Sequence, residues 1–279
     1  MLCENRPLGI EQHTRSFLSM AIQKTEALVL RTQPLRSSSL IVTFFTRSFG
    51  KIKGVVKGVR RERELRGPLY ELFTQLEIVF YEKLRSDLHL VSEASMLKSH
   101  IGVRARLETI AYASYFSELA DSLSELHDPH EGIYELLTFV FQYLPAVPPE
   151  KLSRLFEIKL LREIGWIPYL SACVNCESAV MENGFFSVKQ GALICPACSP
   201  RFAGEAGRQH FSDARALGRE ALETLRYYAD HSLEQGLKRH VRAATGEELK
   251  DVLQQFFLYR LGQPLKSQRF MEQMGTLVS

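Results

Sequence analysis

Several things are missing from this chain. No apolar run approaches the ~18 residues that a membrane-spanning helix needs, so none is expected. There is no Gly-x-x-x-x-Gly-Lys-[Ser/Thr], no Gly-x-Gly-x-x-Gly and no Gly-x-Ser-x-Gly. Those absences remove the sequence signals of a P-loop ATPase, a dinucleotide-binding turn and a hydrolase nucleophile elbow. No 20–50-residue repeat or low-complexity tract appears, which argues against solenoids, propellers and fibrous arrays. Net charge is only +3, too small to identify a partner by itself. Residues 1–19 carry Glu4, Arg6, Glu11 and Arg15 with no apolar h-region, so they do not form a secretory signal.

What is present looks globular. Apolar residues make up 45% and charged residues 24%, close to the average for folded domains, which excludes wholesale disorder and collagen-like or disulfide-miniprotein classes. A length of 279 residues suggests two domains at about 100–200 residues each. Met20 directly precedes the first strong pattern, so 1–19 is expected to be a disordered extension or a misassigned start. The thiols are expected to be reduced and the protein cytoplasmic.

Residues 20–98 read as about five short strands separated by turns, the pattern of a small barrel or sandwich. Ala27, Val29 and Arg31 alternate with Glu26, Leu28 and Leu30. Leu40–Phe45 is β-branched and aromatic, Lys51–Val59 resumes after Ser48-Phe49-Gly50, and Leu72–Tyr81 and Leu88–Ala94 follow. Gly54 and Gly58 predict bulges or close backbone approach. From Val103 the period becomes helical. Ile133, Leu136, Leu137, Val140, Phe141 and Leu144 share one helical face, with Asp128 as N-cap, Pro129 at N1 and Glu131 in capping-box position. Pro145, Pro148 and Pro149 end that helix. Leu152–Ile164 is apolar almost all round and reads as a buried central helix stopped by Gly165. Helical character is expected again from Asp213, and a last helix over Glu247–Leu261. The helical domain thus spans 99–170 and 201–279, interrupted by a different segment at 171–200.

That segment holds four of the five cysteines, as Cys173-x2-Cys176 and Cys195-x2-Cys198. Each Cys-x-x-Cys turn places two sulfurs on one side of a loop, and two such loops close a tetrahedron around Zn2+. Gly184–Ile194 reads as a hairpin turning near Gln190-Gly191, which completes a zinc-ribbon layout. Four thiolates leave no position for substrate or water, so the metal is structural. A zinc deaminase would need a His-x-Glu that is missing here. A redox dithiol or unliganded thiols are the bland alternatives.

Charge is concentrated elsewhere. Residues 47–66 contain Arg47, Lys51, Lys53, Lys57, Arg60, Arg61, Arg63 and Arg66 against only Glu62 and Glu64. With Phe44, Phe45, Phe49 and Tyr70 nearby, this strand and loop suit a barrel groove for single-stranded nucleic acid. The competing reading is a solvated strand edge with core aromatics. His127-Asp128-Pro129-His130 is more economically the start of a helix than a metal site. Lys238-Arg239-His240 and Arg242 either extend the basic surface or decorate a helix end.

The motifs in order carry a resemblance. Thr46-Arg47-Ser48-Phe49-Gly50-Lys51 and Val56-Lys57-Gly58-Val59-Arg60 come first. Phe156-Glu157-Ile158-Lys159-Leu160-Leu161-Arg162-Glu163-Ile164-Gly165-Trp166-Ile167-Pro168 leads into the two cysteine knuckles, and Leu265-Lys266-Ser267 lies near the end. This succession resembles the RecO family of bacterial recombination mediators. The resemblance implies an α+β protein: an N-terminal OB-fold β-barrel, then an α-helical domain carrying an inserted four-cysteine zinc ribbon. It implies binding of single- and double-stranded DNA, annealing of complementary strands without ATP, and no catalytic residues. It also implies contact with RecR and with the acidic C-terminal tail of single-stranded DNA-binding protein, helping RecA load onto coated DNA. The extension 1–19 departs from the family pattern. The residues alone leave open a noncatalytic RNA-binding zinc-ribbon protein of translation or transcription, and a zinc enzyme.

Overall fold

The structure, a computed structural model, describes residues 21–59, 63–83, 86–199 and 212–278. The reading of 1–19 lies outside them. Five strands, β1 (Ile22–Leu35), β2 (Ser39–Thr46), β3 (Gly50–Val56), β4 (Gln75–Tyr81) and β5 (Leu88–Lys98), form a closed barrel in the order β1-β2-β3-β5-β4. β4 pairs back onto β1, and β3 pairs with β5 in parallel. A five-stranded barrel of this connectivity is OB-like. The short helix α1 (Arg63–Arg66) and a 3-10 turn (Gly67–Tyr70) connect β3 to β4.

The expected alternation in β1 is only half visible. Ala27, Leu28, Val29 and Leu30 are all buried. Ala27 and Val29 join Val42, Phe44, Ile52 and Phe80 in the barrel core. Leu28 and Leu30 join Phe45 and Phe73 in the core of the helical domain. The barrel wall is thus apolar on both sides, because one side is covered by helices. The aromatics belong to the core reading rather than to a stacking platform: Phe44 and Phe45 are 0% exposed and Tyr70 3%, while the half-buried Phe49 packs edge-on against Phe80 at 5.4 Å. The bulges fall at Val29/Arg31, Gln75/Leu76 and Val79/Phe80, not at the glycines. Gly54 does mark close approach, since a Cβ there would come within 2.5 Å of Val91 Cγ2.

Helices α2 (Ile101–Arg104), α3 (Leu107–Ser122), α4 (Glu131–Tyr143) and α5 (Pro149–Glu163) follow. α5 lies at the centre, with Leu152, Leu155, Phe156, Ile158, Leu160 and Leu161 buried. It starts one turn before the expected Leu152, because Pro149 occupies its first turn. α4 departs from the expected capping box. It begins at Glu131 with His130 at the N-cap position, and Asp128 instead meets His130 Nε2 at 2.9 Å. The barrel competes for this stretch: the Asp128 carbonyl packs on Gly50, and the His127 amide donates to the Lys51 carbonyl at 2.9 Å.

The ribbon hairpin is present, as β6 (Gly184–Ser187) and β7 (Ala192–Ile194), but Ala214–Leu217 is a strand, β8, rather than helix. It pairs with β6 and buries Leu217, so tertiary pairing overrides the helical spacing. Helices α6 (Arg219–Asp230), α7 (Leu233–Lys238), α8 (Ala243–Leu261) and α9 (Lys266–Val278) complete the fold. α9 follows Leu265 and is anchored on α3, where Glu118 accepts the Lys266 and Ser267 amides at 3.0 and 2.8 Å. Among the described residues, no helix is long and apolar enough to cross a membrane.

Candidate nucleic-acid interface and metal centre

The ribbon builds its cysteine cluster from backbone turns. The Cys173 amide donates to the Ser178 carbonyl at 2.9 Å and the Glu177 amide to the Cys173 carbonyl at 2.8 Å. Glu177 takes φ +59° to close this knuckle. Val174 N donates to Leu193 O at 2.8 Å, which fixes the first knuckle on β7. Cys195 follows β7 directly, and the 3-10 turn Pro196–Cys198 brings Cys198 round.

The ligand atoms of Cys173, Cys176, Cys195 and Cys198 all lie within 4.8 Å of one another, and Cys176 and Cys195 sulfurs are 3.6 Å apart. Tetrahedral zinc with Zn–S bonds near 2.3 Å separates its sulfurs by ~3.8 Å. The four residues therefore fit a metal ion bound by thiolates alone. Asn175 Nδ2 donates to Cys198 Sγ at 3.3 Å, an outer contact of the kind that orients a thiolate ligand. Hydrogen bonding from Ser178 draws Cys176 down to about 6, whereas burial pushes Cys195 up to about 12. A cation among the sulfurs would favour the ionised form of every thiol.

The eight basic residues of 47–66 separate into groups. Two face the helical domain. Arg47 reaches Glu131 Oε1 at 2.6 Å, Glu135 Oε1 at 3.3 Å and Glu26 Oε2 at 3.4 Å, with its guanidinium 5.0 Å from the Tyr134 ring. The hydrogen bond to Glu131 and the neighbouring carboxylates raise its pKa further. Lys51 Nζ meets Asp121 Oδ1 at 3.0 Å and the Asp121 carbonyl at 2.5 Å, and only 12% of its side chain is exposed. These two charges are matched within the protein. Lys53 and Lys57 are exposed. Arg66 Nη1 donates to the Lys57 carbonyl at 3.2 Å, pinning the loop that follows β3. Arg60 and Arg61 lie outside the described residues, as does the Arg63 side chain.

The secondary basic segment is mostly engaged. Arg239 stacks over Tyr227 at 4.7 Å and donates to Thr224 Oγ1 at 3.2 Å, and Arg242 pairs with Glu220.

One feature of α5 escaped sequence reasoning. Glu157 is 0% exposed, and its Oε1 accepts from Tyr115 at 2.7 Å, Arg154 at 2.9 Å and Ser153 at 3.1 Å. Burial raises the Glu157 pKa. Arg154 Nε and Nη1 and the Tyr228 hydroxyl are buried with no partner. Arg154 and Tyr228 line a cavity of about 480 Å³, together with Lys151, His240, Val241 and Arg242, and with Glu150 and Glu247. The available signal was an oppositely charged pair three residues apart among the buried apolar positions Leu152, Leu155, Phe156 and Ile158 of α5.

Comparison with known proteins agrees with this architecture. The family model for the N-terminal region of recombination protein O matches residues 20–100, and that for its C-terminal region matches 104–269. The chain is 34% identical over 262 residues to a DNA repair protein RecO from Anaeromyxobacter sp. (strain Fw109-5), covering 91% of this chain and 97% of that one. A DNA repair protein RecO from Symbiobacterium thermophilum is 30% identical over 258 residues, covering 91% and 98%. One from Pelotomaculum thermopropionicum is 28% identical over 257 residues, covering 92% and 96%. With an OB-like barrel, a helical domain and a four-cysteine ribbon in matching order, the chain belongs to the RecO family of DNA repair proteins.

Proposed function

We propose that this protein is a noncatalytic recombination mediator. It binds single- and double-stranded DNA, anneals complementary strands without ATP, and acts with RecR to help RecA load onto DNA coated by single-stranded DNA-binding protein. It works in the cytoplasm, on the nucleoid when bound to DNA. The observation that carries the reading is the division of the basic stretch. Arg47 and Lys51 hold the barrel to the helices, while Lys53 and Lys57 remain exposed, and Arg60, Arg61, Arg63 and Arg66 follow them in sequence.

The mechanism is electrostatic. Lysine and arginine side chains neutralise phosphates and release counterions, so affinity depends on charge and not on sequence. With Phe44, Phe45 and Tyr70 buried and Phe49 half-buried against Phe80, these rings do not grip the bases, whose edges stay free to pair. Two strands held near one protein gain local concentration and lose mutual repulsion. Neutralising about five phosphates sets a log–log salt slope near −3.5 on single strands. Fluorescence anisotropy of a labelled oligonucleotide across a salt series tests this. A flat salt response would remove the electrostatic mechanism.

The cysteine cluster is read as a structural Zn2+ site, with Cys173, Cys176, Cys195 and Cys198 holding the ion. Bound zinc would cross-link the two knuckles and stabilise the folded ribbon; with four thiolates it keeps no open position.

The cavity beside α5 is read as the place where the acidic tail of single-stranded DNA-binding protein docks. A tail with carboxylates and an apolar portion needs cations around an apolar floor. Lys151 and Arg154 supply the first, and Pro148, Val241 and Ala243 the second.

A further inference from the structure

A second exposed surface lies where the ribbon meets α8. Trp166, the chain's single tryptophan, is 37% exposed, and Tyr169 is 49% exposed. Both are rigidly placed. Gly165 adopts φ +73° to end α5, and the Trp166 amide donates to the Leu161 carbonyl at 2.7 Å. The Tyr169 amide donates to the Gly191 carbonyl at 2.8 Å, and the Leu193 amide to the Tyr169 carbonyl at 3.1 Å, so Tyr169 runs along the ribbon hairpin. Gly191 in turn abuts α8. A Cβ there would come 3.1 Å from the Phe256 ring and 3.3 Å from Arg260 Nη2. The Arg260 guanidinium lies 5.6 Å from the Trp166 ring centroid and 5.0 Å from that of Phe256.

The polar tips on this face are uncommitted. Among the described residues, the Trp166 indole N–H, the Tyr169 hydroxyl, the Arg260 guanidinium and the amine of the exposed Lys189, two residues before Gly191 in the hairpin turn, have no hydrogen-bond or ion-pair partner. The Asp213 carboxylate beside the hairpin accepts from the Lys189 backbone amide at 2.7 Å and the Ser187 hydroxyl at 3.0 Å. An exposed Trp–Arg stack with a tyrosine and a free lysine complements a polyanion that has π faces. Base–aromatic stacking supplies sequence-tolerant affinity, and cations meet the phosphates.

We infer that this ribbon–α8 face is a second single-strand-binding surface, on which bases stack against Trp166 and Tyr169 while phosphates meet Arg260 and Lys189. The inference rests on the nucleic-acid reading above and adds a site to it. In this reading each surface holds its own strand. Annealing would then occur between strands held on the same molecule.

The chain's single tryptophan makes the test direct. The native full-length protein is titrated with a short labelled oligo(dT), following anisotropy for stoichiometry and Trp166 emission for stacking. The expected result is two probes per chain and quenched emission. The double variant Arg260→Ala/Lys189→Ala should keep one probe, lose the quenching and lose about tenfold or more in affinity at the second site. Probe binding without a change in native emission overturns the second surface and leaves the barrel reading standing, as does quenching that persists in the double variant. No probe binding at low salt overturns both. Should the double variant melt early, Lys189→Ala alone and the native emission decide by the same criteria.

Discussion

Lys51 on β3 and Asp121 on α3 form a tie between barrel and helices, with Lys51 Nζ 3.0 Å from Asp121 Oδ1 and 2.5 Å from its carbonyl oxygen. Asp121 also receives Arg31 from β1 at 2.5 Å, so one helical carboxylate gathers two strands. A lysine in the middle of the basic stretch thus serves architecture, while Lys53, two residues on, faces solvent.

Charge reversal separates the two roles. Lys51→Glu places two carboxylates together at a partly buried site and should lower stability by about 2–4 kcal/mol. Lys53→Glu/Lys57→Glu should leave the melting temperature near wild type and weaken DNA binding severalfold, with a shallower salt slope. Parallel thermal melts and salt-dependent anisotropy check this. Equal loss of stability in both variants would contradict the assignment.

Removing the metal should act on folding. Cys195→Ser, or treatment with a strong chelator, should lower the thermal midpoint and expose the ribbon–α8 contact to hydrogen exchange. DNA affinity of the barrel at low temperature should change little. An unchanged melting curve would argue against a structural metal.

His100 predicts a pH dependence. It is 6% exposed, its Nε2 has no partner, and burial first, then Lys98, pushes its pKa down to about 4. The folded protein keeps it neutral while the unfolded chain takes up a proton near pH 6.5. This contribution to stability is therefore full above about 6.5 and is lost as pH falls towards 4. Denaturation midpoints measured from pH 7 to 4 should fall more steeply for the native chain than for His100→Asn, which retains compatibility with the φ of +47°.

The α5 cavity gives a separable partner test. Lys151→Gln and Tyr228→Phe should weaken binding of an acidic peptide copied from the tail of single-stranded DNA-binding protein by about 3–10-fold. Oligonucleotide affinity should stay unchanged. Arg154 is less suitable, because its removal leaves Glu157 buried without its cation.

The parts legible in sequence were those set by local spacing. Two Cys-x-x-Cys turns and a hairpin announce the ribbon, and short β-rich runs between turn residues announce the barrel. What stayed hidden depends on partners far along the chain. Arg47 and Lys51 look like their neighbours until Glu131 and Asp121, 84 and 70 residues away, are brought beside them. Phe45 looks like a stacking candidate until helices cover that side of the barrel. Ala214–Leu217 has helical spacing but finds β6 as a partner. The Asp128 cap was plausible locally and was displaced because Gly50 and Lys51 claim that backbone.

The most direct test is annealing of complementary oligonucleotides precoated with single-stranded DNA-binding protein, without ATP, over a salt series. The account predicts acceleration by the native protein that weakens as salt rises, fades in Lys53→Glu/Lys57→Glu, and is lost when the coating protein's acidic tail is deleted. Folded, metal-replete protein that leaves the annealing rate unchanged at every salt concentration would contradict it.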